Sequence, residues 1–155
     1  MITRTDILAT VSKAAMIGTG IVFGANIGCL AAGYILTKNK PPVNEPGLIS
    51  LILAIIGVID LIFGFVLKAR MLEPLFDKSN PPNAEMLWQI SLRTSIIISA
   101  ICAALPVYGL ASVLIVGNMN TMVGFAIASL AAFMFLRLRP RDFRKLDISD
   151  YRSKY

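Results

Sequence analysis

Asp60 is the one charged side chain in an otherwise uncharged apolar run, Leu48 to Leu67. An aspartate in the middle of a membrane helix costs about 2.5–3.5 kcal/mol to insert. Two kinds of chemistry retain such a group. It is an ion site that binds a proton or a cation, or it is a neutral carboxyl hydrogen-bonded to a nearby hydroxyl or carbonyl. On a helix, Gly57, Asp60 and Gly64 share one face, so the carboxyl points toward a packed interface rather than lipid. Counted from the basic end of the run, Asp60 lies roughly a dozen ångströms deep. Cys102, Ser99, Ser129 and Thr19 reach similar depths, whereas Asn26 and Tyr108 lie deeper. No second charge inside the run supplies a relay.

Other reactive groups are few. The chain has no histidine, which removes the commonest general base and metal ligand. Cys29 and Cys102 differ in depth by about 10 Å at the helical rise, too far for a disulfide, so both are expected to be free packing residues. No phosphate loop, metal cluster, catalytic triad or dinucleotide motif occurs. Gly18-Thr19-Gly20 follows no strand and lies within an apolar run, so it is no phosphate cradle. The expectation is a protein that is not an enzyme and holds no cofactor or metal.

These residues sit in four uncharged or nearly uncharged runs: 14–36, 48–67, 94–116 and 118–136. They cover 85 of 155 residues, in a chain that is 56% hydrophobic and only 15% charged. A helix of about 20 apolar residues crosses the hydrocarbon core of a bilayer. Each run is apolar on every side and leaves no polar face for water, which argues against a soluble bundle. The runs do not alternate and are too long for barrel strands. The first is too long for the apolar part of a cleavable signal and reads as a retained helix. The predicted fold is therefore all-α: one integral membrane domain, 1–155, with four transmembrane helices and a basic tail, 137–155.

The basic residues give the expected orientation. Four spans put both termini on one side, with thirteen of the fifteen Lys and Arg; only Lys38 and Lys40 fall on the other. The positive-inside rule then predicts N-in/C-in topology, with both termini in the cytoplasm. Arg137, Arg139, Arg141, Arg144 and Lys145 form a topology anchor suited to anionic lipid headgroups. The tail lacks the interleaved aromatics of a nucleic-acid site, and none is expected as a partner. Pro41, Pro42, Pro46 and Gly47 make the first connection a short loop. Gly117-Asn118-Met119-Asn120 makes the third a tight turn. The middle connection continues the second helix from Lys68 to Phe76, breaks at Ser79-Asn80-Pro81-Pro82, and restarts at an Asn83 cap. Trp88 and Tyr34 would mark the two interfaces. The expected arrangement is two antiparallel hairpins joined by a cytoplasmic helical linker, a pattern that hints at internal duplication.

In lipid, helices associate through small residues. Gly20, Gly24 and Gly28, spaced four residues apart, form with Gly18 and Gly33 a small-residue ridge on one face of the first helix. Ser50, Ala54, Gly57 and Gly64 line the second, and the two faces are predicted to meet. Pro106 is predicted to kink the third helix, with Ser99 and Cys102 placed to absorb the freed carbonyl.

The stretch Ala100-Ile101-Cys102-Ala103-Ala104-Leu105-Pro106-Val107-Tyr108-Gly109-Leu110 resembles the carboxylate helix of rotary ATPase proteolipid (c) subunits. The glycine-rich first helix is similar to theirs too. The closer resemblance is to a group of uncharacterised bacterial four-helix membrane proteins. It rests on Leu92-Arg93-Thr94-Ser95-Ile96-Ile97, Gly117-Asn118 and Arg139-Pro140, and covers most of the chain. At the proteolipid carboxylate position stands Ala103, so ion translocation does not carry over. The resemblance implies a hairpin architecture that packs side by side. The expected function is a non-catalytic membrane subunit or scaffold, in contact with lipid and with other membrane subunits or copies of itself. The alternative is a proton- or cation-conducting protein that uses Asp60.

Overall fold

The computed structural model describes residues 4–38, 47–76 and 82–143. Four helices account for most of them: α1 (Arg4–Thr37), α2 (Leu48–Leu72), α3 (Ala84–Val116) and α4 (Met119–Leu136). All four are long and apolar enough to cross a membrane. The runs 14–36, 48–67 and 94–116 lie inside α1, α2 and α3, and 118–136 is α4 with its capping Asn118. α1 has 34 residues and α3 has 33. At about 1.5 Å per residue, each is longer than the roughly 30 Å hydrocarbon core, so each projects beyond it.

Local chemistry sets the boundaries. The Asn83 side chain accepts from the Met86 N–H at 2.7 Å and starts α3, as its position predicts. Gly117 ends α3 at φ 79°, a left-handed conformation that glycine adopts without a Cβ clash. The Asn118 side chain then accepts from the N–H of Asn120 at 2.9 Å and Thr121 at 3.3 Å. Helix end and helix start thus occupy adjacent residues, and α3 and α4 fold into a tight antiparallel hairpin. Pro41, Pro42 and Pro46 of the first connection, and the break at 79–81, lie outside the described residues, as do Arg144 and Lys145 of the tail.

The packing corrects the expected pairing of the first two helices. α3 is central and packs against α1, α4 and α2, and α1 also packs on α4. α1 and α2 do not pack as a pair. The predicted meeting of their small-residue faces is therefore wrong, and the first two helices do not repeat the α3–α4 hairpin as a duplication requires. The reason lies in which glycines the bundle uses. Gly18 is buried against Ser95 and Ser99 of α3, and Gly33 against Met122 of α4. Gly20, Gly24 and Gly28 project the other way, and a Cβ at any of them would meet nothing within 4 Å.

At the end carrying Lys13, Lys68, Arg70 and Arg93, the helices close over a second core. Ile7 and Val11 of α1, Leu72 of α2, Leu75, Leu87 of α3, Leu138 and Phe143 are buried together. Leu75 sits in a short 3-10 turn, Glu73–Phe76, and Phe143 in another, Pro140–Phe143. Lys68 bonds Asp142 at 2.7 Å and donates to the Arg137 carbonyl at 3.2 Å, fastening α2 to the segment after α4.

Candidate functional site

Two groups of polar side chains leave α3 in different directions at the level of Pro106. The first faces α2. The antiparallel register sets Gly57 against Leu105 and Gly64 against Ile101, which brackets Asp60 at the level of Ala103. The half-buried carboxylate accepts a hydrogen bond from the Tyr108 hydroxyl, with Oδ2 at 2.5 Å. Asp60 therefore does face a packed interface, but its partner is a residue that depth alone set too far away. Cβ atoms on a helix tilt toward its N-terminus, so a tyrosine on α3 reaches back about one turn, to the level of Asp60. Among the described residues no group of three or more His, Cys, Asp or Glu stands close enough to hold a metal.

Gly57 and Gly64 serve the same interface. A Cβ at Gly57 would come within 2.6 Å of Leu105 Cδ2, whereas one at Gly64 would make ordinary contacts of 3.5 Å or more with Ile101 and Leu136. The structure places both against α3 rather than α1. Two turns beyond Gly57 toward the far end, Ser50 and Ser112 share a buried hydrogen bond at 2.5 Å.

The second group faces α1 and α4. Proline lacks an N–H, so Pro106 leaves the Cys102 carbonyl without its helical donor. Ser129 of α4 fills the gap, its hydroxyl donating to that carbonyl at 2.8 Å. Asn26 of α1 donates to Ser129 Oγ at 3.1 Å and to the Val22 carbonyl at 2.8 Å. The expected helper Ser99 is committed elsewhere, donating to the Ser95 carbonyl at 2.6 Å. Ser95 in turn donates across to the Ala14 carbonyl of α1, also at 2.6 Å. Asn26, Ser95, Ser99 and Ser129 are all buried. Proline spacing names the freed carbonyl from sequence, since it belongs to the residue four earlier; which helix supplies the donor is a tertiary fact.

Cys29 and Cys102 are free thiols, as expected. α2 and α4 enclose an apolar groove of about 760 Å³, lined in part by Ser50, Ala54, Gly57, Gly124 and Ala128. Of the basic residues assigned to headgroups, Arg141 is exposed, and Arg137 and Arg139 are half-buried. The Arg139 guanidinium donates to the Met134 carbonyl.

The chain is thus a four-helix, all-α bundle with membrane-spanning helices and lipid-compatible outer faces. Comparison with known protein families, curated proteins and solved structures gives no match to this chain.

Proposed function

We propose that the chain is a non-catalytic integral membrane subunit or scaffold that presents the outer face of α1 to another membrane helix. One observation carries this reading: Gly20, Gly24 and Gly28 stand in register on a face with nothing within 4 Å of a would-be Cβ. Each glycine costs about 1 kcal/mol of helix propensity relative to alanine. The bundle's own contacts do not use them, and close approach by a partner helix does. The partner is another membrane protein or a second copy. The excess of basic residues at one end supports N-in/C-in placement in a bacterial inner membrane, with Arg137, Arg139, Arg141, Arg144 and Lys145 on anionic headgroups. The test is a pull-down in mild detergent with mass spectrometry, comparing the natural chain with Gly24→Leu. The expected result is a companion protein or self-oligomer that Gly24→Leu loses while its melting temperature holds. Recovery of monomer alone would overturn the proposal.

A second reading makes the protein a proton or cation conductor that uses Asp60. The observation in its favour is Asp60, half-buried within a span, tied to Tyr108, and level with the Ala103 that replaces the proteolipid carboxylate. Reconstituted proton or sodium flux should then fall to background in Asp60→Asn. Unchanged flux removes this reading and leaves the first intact.

A further inference from the structure

Pro106 lies inside α3, which is helical from Ala84 to Val116, and the contacts that fasten the helix differ on its two sides. On the N-terminal side of Pro106, α3 is fastened to α1 through the Ser95–Ala14 hydrogen bond and the Gly18 contact, and packs on α4 through Ile98 and Cys102, buried with Phe133 and Leu136. After it, α3 is fastened to α4, because a Cβ on Gly109 would stand 3.0 Å from Phe125 Cβ and 3.1 Å from the Met122 backbone. The junction lacks its own helical hydrogen bond and is the natural bending point. One polar chain crosses it: Asn26 of α1 to Ser129 of α4 to the Cys102 carbonyl of α3. Two residues past the junction, on another side of the helix, Tyr108 holds Asp60 of α2.

Asn26 carries a second clue. Its side chain is buried, and its Oδ1 has no hydrogen-bond partner among the described residues. An unpaired buried carbonyl oxygen is a net cost to the fold. Its amide N–H groups are both used, one on Ser129 at the junction and one on the Val22 carbonyl of its own helix.

We infer that Asn26 and Ser129 are positioning residues that lock the Pro106 break of α3 and thereby hold Tyr108 against Asp60. The link is reciprocal: what fixes the break from α1 and α4 fixes α2, and displacing Asp60 loads the same break. This coupling stands whichever function the protein performs.

Infrared spectroscopy of the full chain in lipid nanodiscs tests it. The Asp60 carboxyl band is the one that Asp60→Asn removes and Tyr108→Phe shifts. Ser129→Ala and Asn26→Leu, neither of which touches Asp60, should shift that band in the same direction as Tyr108→Phe. Adding Pro106→Ala to Ser129→Ala restores an N–H to the Cys102 carbonyl and should return the band to its original position. Ser129→Thr, which keeps the hydroxyl, should leave it unmoved. Where the alanine variant does not fold, Ser129→Cys reads the same quantity with a weaker donor and similar volume. A band that stays in place in the folded Ser129 and Asn26 variants overturns the inference, even if their melting temperatures fall. Failure of Pro106→Ala to rescue the shift overturns it as well.

Discussion

The two sides of α3 are built differently. Toward α1 and α4, glycines bring backbones close and a buried chain of serines and Asn26 joins three helices. Toward α2 there are two isolated links, Ser50–Ser112 and Tyr108–Asp60, around a seam relieved by Gly57 and Gly64. Only 17% of the best spanning window of α2 is buried, against 44% for α3, although α2 is the more hydropathic helix. In water that combination would be unstable. In lipid it is permitted, because hydrocarbon solvates leucine and isoleucine as well as a neighbouring helix does. The burial of a helix in this bundle therefore does not track its hydropathy. α1, α3 and α4 are joined by close glycine contacts and buried polar bonds, and α2, the least buried span, is an attached helix.

The sharpest way to break this contrast is to crowd one glycine on each face of α1. Gly18→Leu must displace Ser95, Ser99 or Phe133 and should cost about 3 kcal/mol or more. Gly24→Leu, two turns along on the open face, should change stability by less than about 0.5 kcal/mol. Thermal melts in detergent read both. Equal losses would mean that the outer glycines are packed within the chain after all.

That pair also marks where sequence reading succeeds and stops. The spans, the Asn83 cap and the Gly117-Asn118-Met119-Asn120 turn were legible because charge gaps, capping and turn chemistry are local. The faces were not. A soluble helix betrays its inner side by the contrast of apolar and polar residues; α1 has almost none, so Gly20-Gly24-Gly28 and Gly18-Gly33 look alike on paper. Asp60 could be assigned to an interface from its spacing to Gly57 and Gly64, yet Tyr108 was missed because depth was counted by Cα and not by where the ring reaches. The basic-end core was missed for a related reason. Leu75, Leu87, Leu138 and Phe143 lie outside the long apolar runs, and nothing local says they converge.

At that end the usual hydrophobic effect operates, and the two sides of α3 are joined. Phe143 is 1% exposed against residues from α1, α2 and α3. Phe143→Ala should cost about 3 kcal/mol, the low end for a buried aromatic, and should loosen α2 and α1 together. Faster proteolysis at the basic ends of both helices checks this. Loosening of α2 alone would assign the cluster to the attached helix and sharpen the division.

The smallest effects decide whether α2 is an independent unit. Ser50→Ala removes one partner of a buried pair, but Ser112 keeps an alternative, since a serine hydroxyl can bond the carbonyl four residues back. The cost should be about 0.6 kcal/mol, the average for interhelical hydrogen bonds in bilayers. Tyr108→Phe removes the hydrogen bond that the half-buried Asp60 carboxyl accepts, and should cost about 1–3 kcal/mol. The two links lie about three turns apart on α2 at the helical rise, so their losses should add within about 0.5 kcal/mol if α2 docks as a rod. Hydrogen exchange along α2 in the double variant gives the readout: uniform acceleration through 50–64, with α1 and α4 unchanged, is the signature of a helix that separates whole. Acceleration that spreads instead into α4 near Ser129 would mean the contrast between the two sides is one of composition and not of stability, because the Pro106 junction would then be carrying the disturbance across.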